Sequence, residues 1–361
     1  MIEEKDHQQI TVTFFPPLKL TTGNPYNKLL IDSLAKEGIE TIENNNRFNL
    51  SFLLRNRKRV SIIHFHWPSI YYKGRSPLQS LSRTIRFCTL LPLSRIMGYR
   101  IFWTVHNLYP HEMIRVLHHK IARRLLVILS NGLFIHFKGA EGEIRREFGG
   151  NTKFYLIPHG NYIGFYDKPM ERQSVREMLD LKDEFVYLIF GRFRAYKDVS
   201  VSAKRFLLLA PSNSILLIAG EPRDKSSLQG LEDIADASGN RIRLFLKDIP
   251  DNELPLYFAA SDCVWLSYRR IFTSGNLLLS YSMKKPVIAP DAPFFREMVT
   301  PSSGVLYDPN DDLSLQHALL SIQGLDRIKA GEEAYRIALE CSWDKVAGIT
   351  AQAYREALRE D

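Results

Sequence analysis

Short apolar runs alternate with helix-length amphipathic segments along the 361-residue chain, and that alternation predicts parallel sheets built from βαβ units. In the first half, residues 10–15, 60–65, 100–105, 132–136 and 153–157 read as strands. The second half repeats the arrangement at 185–190, 214–219, 242–246, 263–266 and 286–289. The expected architecture is α/β, with Rossmann-like domains at 1–165 and 166–340 and a C-terminal helix at 341–361 crossing back over both. Gly164, Asp167, Lys168 and Pro169 interrupt the pattern within 161–172, where a hinge is expected. Two doubly wound domains would turn the carboxyl ends of their strands toward one cleft, where such sheets bind ligands.

Composition adds little until charge is located. With 45% apolar and 24% charged residues, the chain is neither disordered nor a disulfide scaffold. Cys88, Cys263 and Cys341 lack metal-ligand spacing and read as reduced core residues. Glu3, Glu4 and Asp6 follow Met1, so no cleavable signal is expected and the protein reads as cytoplasmic. Arg83, Arg86 and Arg95 interrupt the most apolar long segment, 78–97, which is thereby too short to span a bilayer.

The net charge of +8 is concentrated in the first half. Residues 1–165 hold 23 basic and 11 acidic side chains, and no acid lies between Glu43 and Glu112. Basic residues mixed with Leu78, Leu81, Ile85, Phe87, Leu90, Leu91 and Ile96 fit a helix on an anionic membrane surface. They equally fit an amphipathic helix packed on the core by its leucines. Without a recognisable nucleic-acid module, nucleic acid is not an expected partner.

Polar residues just beyond the strands are the candidates for chemistry. The loop at 15–26 carries Gly23 and Asn24 ahead of a helix, a setting for an anion or a sugar hydroxyl, but lacks the GxGxxG of a dinucleotide site. His66, His106, His111 and Glu112 come after their strands have ended and could donate a hydrogen bond or accept a proton. His64 alternates with strand residues and reads as a hydrogen-bonded core histidine. No HExxH spacing points to a metal. In the second half, Gly191, Arg192 and Lys197 form a strand, turn and helix start able to clamp a diphosphate. Gly220 ends the next strand. Ser274, Gly275 and Asn276 open a helix whose amides suit a phosphate, although capping alone would account for Ser274.

Together these segments resemble the GT-B glycosyltransferases, especially bacterial family 4 and its relatives that build surface polysaccharides. The resemblance is carried by Gly191-Arg192 with Lys197, Ala219-Gly220, Ile249-Pro250-Asp251-Asn252-Glu253-Leu254-Pro255, and Ser274-Gly275 before Pro286-Val287-Ile288-Ala289. It implies a nucleotide-sugar donor held in the second domain by Arg192, Lys197 and amides near Gly275, with Asp248 and Ile249 bordering the base. It also implies that His106 approaches the donor sugar and that the first domain binds the acceptor. His64-Phe65-His66-Trp67-Pro68, Thr104-Val105-His106-Asn107 and Pro110-His111-Glu112 resemble a bacterial subset that includes β-mannosyltransferases of exopolysaccharide assembly.

One feature departs from the family. Retaining members carry two glutamates that would fall at Ile271 and Leu279, so stereochemistry does not carry over. An inverting reaction would need a base from His66, His106, His111 or Glu112; a retaining one would rest on charge stabilisation by Arg192 and Lys197. The expected function is hexose transfer, first from GDP-mannose and otherwise from a UDP-sugar such as UDP-glucose, to a lipid-linked glycan. It would occur at the inner face of the plasma membrane, with no metal and no cofactor beyond the donor substrate. The rival expectation is an inactive protein that binds a nucleotide sugar or glycan.

Overall fold

The computed structural model describes residues 9–20, 24–45, 47–110, 116–166, 170–223 and 230–359. Among these, twelve strands form two six-stranded sheets, and every pairing is parallel. The chain divides into two units: the described residues up to Gly160 with those from Ser342 onward, and 161–341. The sequence pattern put the first boundary at 165. Asn161 instead belongs with the second unit, where its amide N–H donates to the Cys341 carbonyl (2.9 Å) and its side chain donates to Ala338 (2.7 Å).

The first sheet contains β1 (Thr11–Phe15), β2 (Glu40–Thr41), β3 (Ile62–Phe65), β4 (Arg100–Thr104), β5 (Gly132–Ile135) and β6 (Phe154–Leu156), in the order β2-β1-β3-β4-β5-β6. Its first helices are α1 (Tyr26–Lys36), α2 (Leu50–Asn56), α3 (Ser69–Tyr72), α4 (Pro77–Ile96), α5 (Val116–Leu129) and α6 (Gly139–Phe148). β3, β4 and β5 are buried along their whole length, as expected for parallel strands covered on both faces. The chain leaves β1 toward β2 on one side and returns to β3 on the other. The switch point therefore lies beyond Phe15 and Phe65.

The second sheet contains β7 (Phe185–Phe190), β8 (Ser214–Ala219), β9 (Ile242–Phe245), β10 (Cys263–Trp265), β11 (Val287–Pro290) and β12 (Gly304–Tyr307), in the order β12-β11-β10-β7-β8-β9. Its helices are α7 (Arg172–Met178), α8 (Val199–Leu209), α9 (Leu231–Asp236), α10 (Leu254–Ala260), α11 (Gly275–Ser282), α12 (Pro293–Met298), α13 (Asp312–Ser321) and α14 (Arg327–Glu340). Here the switch point falls between β7 and β10, which places the loops at 191–197 and 266–274 at the expected ligand crevice.

The final helix, α15 (Trp343–Arg359), contributes Trp343, Val346, Ala347, Ala351 and Tyr354 to the first unit's core. It is therefore an integral part of that unit, where the sequence pattern suggested a helix spanning both. The α4 leucines also divide differently from either sequence reading. Phe87, Leu90 and Leu91 are buried, whereas Leu78, Leu81, Ile85 and Ile96 face outward. Among the described residues, no helix is long and apolar enough to cross a membrane.

Candidate functional site

At the second unit's switch point, β7 ends at Phe190 and the backbone turns through Gly191 with φ +112°. A side chain there would meet Lys197: a Cβ on Gly191 would stand 2.9 Å from Nζ and 3.1 Å from the Asn276 side-chain nitrogen. Gly220, with φ +150°, is held more tightly, since its Cβ would fall 1.8 Å from the Gly191 carbonyl oxygen. These glycines let two strand-end loops close against one another. Gly191 N–H donates to Ala219 (3.0 Å), Phe193 N–H to Glu221 (2.7 Å), and Arg223 N–H to Phe193 (2.8 Å).

Lys197 and Asn276 converge on the same carbonyl. Lys197 Nζ donates to Phe190 O at 3.1 Å, and Asn276 Nδ2 donates to it at 2.8 Å. Lys197 is 5% exposed and, among the described residues, has no carboxylate partner. Burial, with help from the nearby Arg192 and Arg194 charges, lowers its pKa to about 7. An ammonium so placed gains from an incoming anion. Arg192 lies at the rim, 3.8 Å from Glu221, whose closer partner is Arg223 at 2.7 Å.

Gly275 begins α11 beside this point. The Ser274 hydroxyl is already engaged, accepting from Leu277 N–H (3.3 Å) and lying 3.1 Å from the Tyr268 hydroxyl, so its contribution is to hold the helix start. Asp248 is exposed and Ile249 half-buried after β9, two strands from β7. Ile271 and Leu279 are apolar where the resemblance would have placed carboxylates, and Leu279 is buried within α11. Sequence reasoning did not single out Tyr268 or Arg223; nothing in their local pattern separates them from other loop residues.

The first unit's switch point is built from histidines. His64 is fully satisfied, with Nδ1 2.5 Å from the Tyr354 hydroxyl and Nε2 2.8 Å from Thr104 Oγ1. His66 Nδ1 lies 3.0 Å from His106 Nε2, and His106 Nδ1 lies 3.4 Å from His136 Nε2. His136 Nδ1 reaches the Ile157 carbonyl at 3.3 Å. A carbonyl only accepts, so His136 carries its proton on Nδ1 and accepts at Nε2. The same logic then puts the proton on Nδ1 of His106 and of His66. His66 Nε2 is left as a buried, unprotonated nitrogen without a hydrogen-bond partner among the described residues.

Burial lowers the pKa of His64, His66 and His106, and the neighbouring imidazoles lower it further. Burial also brings His136 down to about 3 and His159 to about 4. The cluster is therefore neutral at physiological pH and resists protonation. Tyr26 packs edge-on against His66, His106, His136 and His159. His136 and His159 were missed in the sequence, although both follow strand ends, β5 and β6, just as His66 and His106 follow theirs. His111, Glu112 and Gly23 lie outside the described residues. Among the described residues, no group of three or more His, Cys, Asp or Glu side chains is arranged to hold a metal ion.

Residues 171–334, nearly all of the second unit, match the family described as Glycosyl transferases group 1. The chain is 26% identical over 359 residues to the GDP-mannose:glycolipid 4-beta-D-mannosyltransferase of Xanthomonas campestris pv. campestris, covering 98% of this chain and 94% of the relative. Among solved structures, sucrose-phosphate synthase (tll1590) from Thermosynechococcus elongatus superposes with a TM-score of 0.75 at 16% identity, covering 98% of this chain and all of the other. Anabaena Alr3699/HepE in complex with UDP-glucose gives 0.72 at 14% identity over the same shares. At these identities the structural likeness shows a shared fold.

Proposed function

We propose, from the premise that this chain is a GT-B glycosyltransferase whose second unit is a glycosyl transferases group 1 domain, that it transfers mannose from GDP-mannose to a glycolipid. The observation that carries the reaction class is the buried Lys197, without a carboxylate partner among the described residues, at the switch point of that domain. The end-to-end similarity to a GDP-mannose:glycolipid mannosyltransferase supports the donor and the acceptor class. The second unit would be the donor domain and the first the acceptor domain, with peripheral attachment to an anionic membrane surface.

In this reading, Lys197, Arg192 and the start of α11 hold the donor diphosphate and stabilise its charge as it leaves. Asp248 and Ile249 border the base. GDP-mannose is an α-glycoside, and transfer in the β configuration inverts the anomeric carbon; the apolar Ile271 and Leu279 agree with a site that does not use the two glutamates of retaining relatives. The acceptor oxygen bonds to mannose C1 as the bond from C1 to the GDP oxygen breaks, and the acceptor proton passes to a base. His66 Nε2 is the nitrogen whose lone pair has no partner among the described residues. His106 and His136 hold its tautomer by the chain of hydrogen bonds ending at Ile157.

The test is a thermal-shift panel of GDP, GDP-mannose, UDP and UDP-glucose on the wild-type chain and Lys197→Ala. Stabilisation by GDP and GDP-mannose that is lost in the variant supports the reading. Selective stabilisation by UDP and UDP-glucose would overturn the donor. No response to any nucleotide would favour the glycan-binding alternative.

A further inference from the structure

The loop that follows β10 is tied closely to the turn that carries Lys197. Ser267 Oγ donates to the Lys197 carbonyl (3.0 Å), and Arg269 N–H donates to the Tyr196 carbonyl (3.1 Å). The Arg269 side chain adds an ion pair to Asp198, with Nε 3.2 Å from the carboxylate. Residues 267–269 therefore fasten the turn at three consecutive positions. Tyr268, in the middle of them, is 5% exposed.

Tyr268 reaches both parts of the anion-receiving site. Its hydroxyl lies 3.1 Å from Ser274 Oγ, the cap of α11, and also hydrogen-bonds the Asn276 side chain. A phenol donates one hydrogen bond and accepts others, so a single oxygen can join the two. Burial holds this phenol above its ordinary pKa, and it stays neutral while Lys197 titrates. The ring serves Lys197: Nζ stands 5.9 Å from the Tyr268 centroid and 5.7 Å from that of Phe193, within reach of cation–π attraction. Near-parallel neighbours fix the plane of the ring, Tyr196 (centroids 6.0 Å apart, 15°) and Phe295 of α12 (6.2 Å, 8°).

The charged groups nearby offer the ammonium little. Arg192 and Arg194, from its own turn, repel it. Asp198 is engaged by Arg269, and Glu221 by Arg223 at 2.7 Å and Arg192 at 3.8 Å. From α11 the neighbour is the neutral Asn276. A carboxylate paired with Lys197 would have to be displaced before a diphosphate could bind, whereas an aromatic face attracts the ammonium without competing for the anion.

We propose that Tyr268 is the positioning residue of the diphosphate site: its ring is the partner of the Lys197 ammonium in place of a carboxylate, and its hydroxyl holds the start of α11, so that one side chain sets both anion-receiving groups. The inference rests on the nucleotide-sugar reading above and deepens it.

The test is calorimetry of GDP and UDP binding to the full chain, from pH 6 to 9 in buffers of different ionisation enthalpy, on the wild type, Tyr268→Leu and Tyr268→Phe, with urea unfolding to show that each variant is folded. Without the ring, the ammonium of the free protein loses its partner. Tyr268→Leu should therefore begin to lose GDP affinity about one pH unit lower than the wild type and take up more of a proton per GDP at pH 7. Tyr268→Phe keeps the ring, so its proton uptake should match the wild type while its affinity drops about fivefold at every pH through the loosened α11 start. A merely structural role predicts for Tyr268→Leu a loss that is equal at every pH, with unchanged proton uptake. That result, or a Tyr268→Phe that binds as the wild type does, would overturn the assignment. UDP binding in place of GDP, with the same responses in the variants, would overturn the donor and leave this role of Tyr268 standing; GDP binding that neither variant alters would do the opposite.

Discussion

The two units carry the same topological device, a switch point in a parallel sheet, and fill it with opposite chemistry. In the second unit, a buried lysine with no carboxylate partner among the described residues faces glycine-lined loops and the start of α11. In the first, five buried histidines are held neutral by burial and by one another. A desolvated cation is stabilised by an incoming anion, whereas a desolvated neutral imidazole with a free lone pair is stabilised by an incoming hydroxyl. The contrast is the basis on which the proposed function assigns the diphosphate to the second unit and the acceptor hydroxyl to the first.

The sharpest way to break this contrast is to remove each centre in turn. His66→Gln keeps the ring's approximate volume and should lower kcat by about 10² to 10⁴ while leaving GDP binding unchanged, as steady-state kinetics and calorimetry would show. A loss of donor affinity instead would erase the division of labour. Lys197→Ala should lower kcat/KM by about 10² to 10³ and weaken GDP binding as well. Gly220→Ala should destabilise the chain by about 2 kcal/mol, read by denaturant unfolding, because its φ and the 1.8 Å approach to Gly191 leave no space for a methyl group.

Acid tests the first unit specifically. Unfolded histidines protonate near 6.5, whereas the folded cluster resists protonation, with His159 near 4 and His136 near 3. Between those limits the unfolded state binds more protons, so stability is present above pH 6.5 and is lost as the pH falls toward 4. Urea midpoints across that range should decline, and His136→Phe should flatten the decline. Lys197 acts in the alkaline range with the same sign. Its folded pKa near 7 lies below the 10.5 of a free lysine, so stability rises as the pH climbs between them.

Much of this was legible in the sequence. The buried strands of both sheets were visible as apolar runs, and the switch-point loops followed from them, which is why Arg192, Lys197 and His106 could be selected without coordinates. Two of the four edge strands were not. β2 is only Glu40 and Thr41, and β12, Gly304–Tyr307, is a four-residue run between turn residues; neither has the length that makes a strand stand out. The outward stripe of α4 was hidden for another reason: with apolar residues on both faces, helical periodicity alone does not say which face meets the core. His136 and His159 were within reach, since the rule that found His66 and His106 applies to them. The hydrogen-bond chain that fixes the tautomers is a tertiary feature, with partners 30 and 40 residues apart.

The most direct measurement is the proton balance of GDP binding, by calorimetry at pH 8 in buffers of different ionisation enthalpy. Lys197, largely deprotonated there in the free protein, must take up a proton to pair with the diphosphate. The wild type should therefore take up close to one proton per GDP, its affinity should fall as the pH rises above 7, and Lys197→Met should bind weakly with no proton uptake. Tight binding without proton uptake, or uptake that persists in Lys197→Met, would contradict the assignment of Lys197 as the anion-receiving centre.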